Sequence, residues 1–330
     1  MTFSKTVSLP VSPDEAFALV TQPERLRRWT AVTARVDLRA GGDYRWTVTP
    51  GNVVAGTVRE LEPGRRIVLD WAWDQMGAGG ADLEVDAVDS TVIITVEPTD
   101  GGSLVTLTHE GLTPEQEVGH EEGWNHFLGR LEVAAAKGDA GPDEWAFAPE
   151  RMDEIVAAEA SLAVLQGVLR QVVPTDREKA TPCADFNVHE LADHLLDTLV
   201  SLGAMAGAEL TRQETATLED AVSTLASDAI EAWRRRGLEG MAMSPFGEAP
   251  APVLAGIVSI ELLLHAWDFA QATSATLTVS DAVVEYVAGL AAKVVPGARG
   301  RAFGDELVAQ VGSDALTRLA AYSGRTPLSA

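Results

Sequence analysis

The stretch Ser259-Ile-Glu-Leu-Leu-Leu-His-Ala-Trp-Asp-Phe-Ala-Gln-Ala-Thr273 decides the fold of the second half of this chain. Its leucine, alanine and aromatic residues surround the helix axis, which is typical of a helix that is buried on all sides. Glu261 and His265 are four residues apart and therefore lie on one face, one turn from each other. Because such groups are costly in an apolar interior without a partner, the pair predicts a polar or metal-binding site inside a helical domain.

A second histidine of the same kind lies in Glu190-Leu-Ala-Asp-His-Leu-Leu-Asp197. Two helices that bring His194, Glu261 and His265 together would supply three protein ligands and leave one metal position open. Zn²⁺ suits two imidazoles and a carboxylate, and manganese, iron and nickel fit the same donors. The residues alone leave another interpretation open, a buried polar cluster or solvent-facing side chains, because a Glu-x3-His pair often arises by accident.

Asp197 and Asp268 each follow one of these histidines by three residues, one helical turn further along the chain. A carboxylate at that spacing can accept a hydrogen bond from an imidazole and orient it toward a metal, which predicts a supporting role for both. An equally good interpretation is that these aspartates are solvated on a helix surface or cap a helix end. Cys183 lies outside the predicted ligand set, so we interpret it as a small buried residue ahead of a helix rather than as a nucleophile.

Length and composition limit the classes of function. A chain of 330 residues suggests two domains, and its 46% of hydrophobic residues are enough to form real cores. The net charge of −24 argues against nucleic acid and anionic membrane as partners. One cysteine allows no internal disulfide, the first seven residues lack the features of a signal peptide, and the longest apolar run is too short to span a bilayer. We therefore expect a cytoplasmic protein.

Residues 1–137 have a mostly strand-like period. Ser12-Pro-Asp-Glu15 and Thr113-Pro-Glu-Gln116 are capping boxes, of which the second opens a long helix that runs to about residue 136. Its expected inward positions are Val118, Trp124, Leu128 and Leu131. Alternation and turn residues predict strands at 3–9, 44–48, 53–61, 66–73, 81–88, 91–96 and 103–109. Such an arrangement is an α+β layer in which a curved antiparallel sheet grips one helix.

The motifs of this half are Val11-Ser-Pro-Asp-Glu-Ala-Phe17, Pro23-Glu-Arg-Leu with Trp29, Asp37-Leu-Arg-Ala-Gly-Gly-Asp-Tyr44, Leu107-Thr-His-Glu-Gly-Leu112 and Gly123-Trp124. They resemble the START-like helix-grip (SRPBCC) superfamily, and most closely its branch related to an activator of a heat-shock chaperone ATPase. The resemblance implies a domain over 1–137 with an apolar cavity between the long helix and the sheet. It does not name a ligand.

Glycine, proline and acidic residues interrupt both periods next, which predicts a linker at 138–149. From residue 150 to 330 the period is helical. Helices are predicted at 155–172, from the Asn187 capping box through Leu199, and at 219–236, 252–272 and 282–294. This pattern favours an all-α bundle.

The helical half contains three motifs, Thr181-Pro-Cys-Ala-Asp-Phe-Asn-Val-His-Glu-Leu-Ala-Asp-His194, Glu261-Leu-Leu-Leu-His-Ala-Trp-Asp-Phe-Ala270 and Gly324-Arg-Thr-Pro327. They resemble the DinB-like metal-binding four-helix bundles, and within them the group that contains mycothiol-dependent maleylpyruvate isomerase. The resemblance implies one divalent metal, usually zinc, on His194, Glu261 and His265. It also offers Arg325 as a contact for a substrate carboxylate. Phe186 stands where relatives commonly carry tryptophan, which alters a pocket wall.

Three functions follow as hypotheses. The first is a zinc-dependent enzyme that uses a low-molecular-weight thiol such as mycothiol as cosubstrate, and acts as an S-transferase or cis–trans isomerase on a small electrophile. The second is a non-catalytic small-molecule-binding or stress-response protein, in which the START-like half holds an apolar ligand and the metal is structural. The third is a chaperone co-factor, suggested by the related branch alone. An open metal position favours the enzyme, whereas a closed four-ligand site favours the scaffold.

Overall fold

The computed structural model describes residues 1–74, 90–183 and 185–328, and it divides the chain into two compact units, the first ending at Asp143 and the second beginning its main segment at Glu144. This division falls inside the linker that the sequence predicts at 138–149. The strand predicted at 81–88 lies outside the described residues.

The N-terminal unit is built on an antiparallel sheet. Its strands are β1 (Thr2–Leu9), β2 (Thr33–Val36), β3 (Asp43–Thr49), β4 (Asn52–Glu62), β5 (Arg66–Asp74), β6 (Ser90–Thr99) and β7 (Gly102–Glu110). They are hydrogen-bonded in the order β1-β7-β6-β5-β4-β3-β2. Only β1 leaves sequence order, because it pairs with β7 across the unit. Alternate residues point to one face, as the period of two in the sequence predicts.

The described part of this unit also contains the helices α1 (Pro13–Thr21), α2 (Pro23–Leu26) and α3 (Pro114–Lys137). The Ser12 hydroxyl caps α1 by accepting a hydrogen bond from the Glu15 amide, and Thr113 and Gln116 form the predicted reciprocal box at the start of α3. The helix ends at Gly138, where a φ of 87° suits a residue without a side chain.

One core lies between α3 and the sheet. On the helix side it contains Trp124, Phe127, Leu128 and Leu131, all buried. The inward position predicted for Val118 is wrong, since 72% of this residue is exposed. His120 points inward at this level of the helix, where Trp73 donates to it. Val118 lies two positions away and therefore points to a different side of the helix.

The second unit is mainly helical. Its helices are α4 (Glu144–Phe147), α5 (Glu154–Leu169), α6 (Val188–Met205), α7 (Leu218–Arg236), α8 (Ala251–Thr273), α9 (Asp281–Ala298) and α10 (Ala315–Tyr322), with a short 3₁₀ turn at Pro174–Asp176. The prediction of an all-α unit is wrong in one place, because a hairpin of β8 (Met241–Ser244) and β9 (Gly247–Pro250) precedes α8. The sequence hides these strands, since they are only four residues long.

Helix α8 is the centre of the second unit and packs against α5, α6 and α9. Seventeen of its residues are buried, which explains why its apolar residues surround the whole axis. Among the described residues it is the one helix long and apolar enough to cross a membrane, and 83% of its most apolar window is buried within the protein. Glu261, His265 and Asp268 are therefore set into the best-packed element of the unit.

Candidate functional site

Helices α6 and α8 bring together the three residues that the sequence pairs with a metal. His194 comes from α6, and Glu261 and His265 come from α8. One donor atom from each lies within 4.8 Å of the other two. Nε2 of His265 is 3.1 Å from a carboxylate oxygen of Glu261, and the two imidazole rings are 5.4 Å apart and nearly perpendicular. Two nitrogens and one oxygen thus converge on a single point between two helices.

A buried network holds His265 from behind. Its Nδ1 lies 2.9 Å from Oδ2 of Asp268, a residue with no exposed surface. The Nε of Arg325 donates to both oxygens of the same carboxylate at 3.0 Å, and its Nη1 donates to the Ser323 hydroxyl at 3.0 Å. Because the Asp268 carboxylate can only accept, Nδ1 of His265 carries a proton, and Nε2 is turned toward Glu261 and His194.

The charges of the site are coupled. Burial alone would raise the pKa of Glu261, but the hydrogen bond and charge of His265, with Arg325 and His194, outweigh it and lower that pKa. Burial opposes protonation of His265, but hydrogen bonds to Asp268 and Glu261 raise its pKa. Burial and the charge of His265 lower the pKa of His194. The site therefore presents a carboxylate on Glu261 and a neutral imidazole on His194. Either a proton on His265 or a bound cation can balance the charge of that carboxylate.

This donor set fits a divalent metal by its chemistry. Two imidazoles and a carboxylate are the ligands of many three-residue zinc sites, and nickel, iron and manganese accept the same atoms. His194 and Glu261 are only partly buried, whereas His265 is 1% exposed, so the site opens to one side. The Asp268 acceptor behind His265 matches the support that metal-bound imidazoles commonly have.

Asp197 behaves differently from Asp268, although each lies three residues after its histidine. Its side chain is 76% exposed, and one oxygen lies 2.6 Å from Arg212. Since α6 turns this face toward solvent, the carboxylate pairs with Arg212 there. The structure thus brings Asp268 to its imidazole and places Asp197 at the surface.

The loop before α6 forms one wall of the site. The Phe186 ring stacks on the His194 ring, with centroids 4.9 Å apart and an angle of 18°. Cys183 in the same loop is closer to the site than the sequence suggests, because it interacts electrostatically with Arg325, Asp268 and Glu261. Burial raises the pKa of its thiol to about 11. The sequence does contain a signal for the proximity of Cys183 to the site, because Cys183 lies in the same motif as His194.

Sequence reasoning missed Ser323, which the Arg325 guanidinium contacts. A serine two residues before an arginine forms no pattern from which this contact could be predicted. The contact arises because the chain turns after α10. Arg325, expected as a substrate contact, uses Nε and Nη1 for hydrogen bonds within the protein. Among the described residues its hydrogen bonds leave Nη2 for another group.

The N-terminal unit contains a second buried polar cluster. The Trp124 indole donates to Nδ1 of His109 at 2.9 Å, and Nε2 of His109 lies 2.7 Å from the Ser90 hydroxyl. An indole can only donate, so His109 is neutral with its proton on Nε2. Burial and the neighbouring His120 lower the pKa of His109 to about 3. The Trp73 indole donates in the same way to His120, at 3.2 Å.

Aromatic rings surround this cluster. Trp71 lies in ring contact with Trp46, Trp73 and Trp124, at centroid distances of 5.9, 6.1 and 5.2 Å. Trp46, Trp71 and Trp73 therefore lie on one face of the sheet. The indole nitrogens of Trp46 and Trp71 are buried and have no hydrogen-bond partner among the described residues. Such donors are uncommon inside proteins.

Comparison with known proteins concerns mainly the first unit. Residues 10–136 match the family model of Activator of Hsp90 ATPase homolog 1-like (AHSA1-like) proteins. An AHSA1-like protein from Rhizobium etli of known structure is 35% identical, with a TM-score of 0.36 over 46% of this chain and 91% of that one. DynU16, a protein in the dynemicin biosynthetic locus, is 22% identical, with a TM-score of 0.36 over 42% of this chain. The match spans about half the length of DynU16, 48%.

Two uncharacterized proteins of Mycobacterium tuberculosis, from strains H37Rv and CDC 1551 / Oshkosh, are also similar. Each is 26% identical over 182 residues, which cover 53% of this chain and 99% of the relative. That share of the chain is longer than the N-terminal unit, so at least part of the similarity lies in the helical unit. Together with the antiparallel sheet that packs on α3, the match at residues 10–136 shows that the N-terminal unit of this chain is an AHSA1-like domain with the helix-grip fold.

Proposed function

We propose that the helical unit is a DinB-like bundle that binds one divalent metal, preferentially zinc, on His194, Glu261 and His265. The observation that carries the proposal is the convergence of their three donor atoms within 4.8 Å. The Asp268 carboxylate behind His265 supports it, because by accepting from Nδ1 it leaves Nε2 of His265 turned toward Glu261 and His194, as in metal-bound imidazoles. Each of the three DinB-like motifs also contributes to this cluster, the first through His194, the second through Glu261 and His265, and the third through Arg325.

The proposed activity is a thiol-dependent transfer or cis–trans isomerisation of a small electrophile. A divalent ion on three protein ligands supplies an open position where a thiol such as mycothiol loses its proton more readily. The chain's own residues orient the reactants. Phe186 and His194 form an aromatic wall, and Nη2 of Arg325 faces no other hydrogen-bond partner in the described chain, so it is available to a substrate carboxylate.

The N-terminal domain has a separate proposed role. The AHSA1-like fold commonly binds small apolar ligands. We propose that this domain does so here, and the aromatic cluster around Trp71 favours a planar apolar molecule. A non-catalytic binding protein with a structural metal is the second candidate function, and these rings are the observation that favours it. A chaperone co-factor ranks third, because that role would leave the residues of α6 and α8 unused.

A thiol-consumption assay separates the enzyme from the scaffold. Zinc-loaded protein is mixed with mycothiol and an α,β-unsaturated carboxylic acid, and loss of free thiol and change of double-bond geometry are followed together. The proposal predicts turnover that disappears in His265→Ala and persists in His189→Ala, a surface histidine on the same helix as His194. A protein that binds zinc tightly but accelerates neither process, with this acid or its methyl ester, would support the structural role.

A further inference from the structure

The segment after α10 is fastened to the loop after α9 by two kinds of contact. The first is a close backbone approach. A methyl group on Gly324 would lie 2.6 Å from the Cα of Gly304, and Gly324 has a φ of 89°. Only glycine allows both the conformation and the approach.

The second contact is a clamp made by Arg299, which directly follows α9. Its Nη1 donates to the Gly304 carbonyl at 2.7 Å, and its Nη2 donates to the Tyr322 carbonyl at 3.0 Å. The guanidinium also lies over the Tyr322 ring, 5.0 Å from its centroid. One side chain thus joins the two backbone segments on either side of the glycine contact, with a planar fork that lysine cannot reproduce.

This fastened segment leads directly to Arg325. The Arg325 amide donates to the Ala320 carbonyl at 3.0 Å, so the residue is fixed to the last turn of α10. Its guanidinium is buried between Ser323 and Asp268, and Asp268 accepts from His265. A continuous series of contacts therefore runs from Arg299 to the imidazole of a proposed metal ligand.

We propose that Arg299 is a positioning residue for the metal site: by fixing residues 322–325 it holds Arg325 against Asp268, and Asp268 in turn fixes the ring of His265. The inference rests on the proposed metal-binding function and deepens it, because it assigns control of the site to a residue outside the three DinB-like motifs. Arg299 acts through the geometry of Asp268 and touches neither metal nor substrate.

The experiment measures Zn²⁺ affinity by competition with a chromophoric chelator, and the absorption spectrum of the Co²⁺-loaded protein as a readout of ligand geometry. The set contains wild type, Arg299→Ala, Asp268→Asn and the double variant. Arg301→Ala is the matched control, since it lies two residues away and contacts the Phe246 ring and the Gly297 carbonyl instead. Gly324→Ala is a second test of the same contact, because its added methyl would lie 2.6 Å from the Cα of Gly304.

Asp268→Asn is expected to weaken Zn²⁺ binding about 10- to 100-fold, and Arg299→Ala by up to about 10-fold with a shifted Co²⁺ spectrum. The effect of Arg299→Ala should vanish in the Asp268→Asn background, because both act through one carboxylate. Arg301→Ala should match wild type, and Gly324→Ala should resemble Arg299→Ala.

Wild-type affinity and spectrum in folded Arg299→Ala and Gly324→Ala would overturn the inference and leave the metal site standing. Losses that add in full in the double variant would also overturn it, since they indicate general destabilisation. If Arg299→Ala does not fold by circular dichroism, Gly324→Ala decides by the same criteria. A wild-type protein that binds no Zn²⁺ would refute the proposed metal function and this inference with it.

Discussion

At the scale of single residues, position in the packing decides what each titratable group does. Asp268 and Asp197 have the same spacing from a histidine, yet one is buried against His265 and the other pairs with Arg212 at the surface. Spacing along a helix could predict Asp268 as an imidazole partner. It could not predict Ser323 or Arg299, because those contacts depend on how the chain turns after α9 and α10.

His109 gives a pH dependence whose sign can be worked out. Burial and His120 lower its pKa to about 3, against 6.5 for an ordinary histidine. Between these values the unfolded chain binds more protons, so the free energy of unfolding falls as the pH is lowered below 6.5. Between pH 6.5 and pH 4.5 the loss should be about 2–3 kcal/mol for this one group.

Urea denaturation of wild type and His109→Gln at both pH values checks this expectation. Glutamine can still accept from Trp124 and donate to Ser90, but it does not titrate. The variant should therefore lose less stability on acidification than wild type does. Equal losses in the two proteins would show that His109 is not the neutral buried group described above.

At the scale of elements, capping boxes and strong periods were sufficient to predict most of the fold. Ser12, Thr113 and Asn187 begin α1, α3 and α6 as the sequence indicates. The strand β2, the β8–β9 hairpin and α10 were missed, because four-residue strands and an eight-residue helix show too little of a period. Tertiary packing, not local preference, forms such short elements.

Replacement of glycine by alanine should have opposite effects at two positions of the N-terminal unit. A methyl group at Gly56 in β4 would lie 1.9 Å from the Asp70 carbonyl and 3.1 Å from the Tyr44 ring, where the Tyr44 hydroxyl crosses to that carbonyl. Gly56→Ala should therefore destabilise the protein by about 1–3 kcal/mol. A methyl group at Gly119 on α3 would meet no heavy atom of the described chain within 4 Å apart from its chain neighbours and its own helix backbone, so Gly119→Ala should stabilise by about 0.5–1 kcal/mol.

Thermal and urea unfolding of the two variants beside wild type test this pair. If Gly56→Ala leaves the free energy of unfolding unchanged, β4 does not approach β5 as closely as the structure shows. A destabilising Gly119→Ala would mean that this position of α3 is not open.

At the scale of the whole molecule, the chain joins an AHSA1-like domain to a helical unit with a candidate metal site. The sequence predicted this organisation because its hydrophobic period changes from strand-like to helical. It could not name the substrate, since neither the indoles around Trp71 nor the donors on α6 and α8 specify one molecule. The two units therefore need ligand tests of their own.

Zinc binding should leave a regional signature in hydrogen–deuterium exchange. A ligand stabilises only the structure that binds it, and this one would link α6 to α8. Added Zn²⁺ should slow exchange in peptides from 188–205 and 251–273 and leave those from β1 to β7 unchanged. Equal slowing in both units would contradict a site confined to the helical unit, as would slowing that survives His265→Ala.

The most direct test of the metal centre is the metal content of protein purified without an affinity tag and dialysed against buffered Zn²⁺, measured by mass spectrometry for wild type and His265→Ala. His189→Ala serves as the matched control, because it removes a surface histidine from α6 that pairs with Asp193. We predict close to one equivalent of zinc in wild type and His189→Ala, and its loss in His265→Ala. No bound zinc in wild type, or equal zinc in His265→Ala, would contradict the proposal that His194, Glu261 and His265 form a metal site.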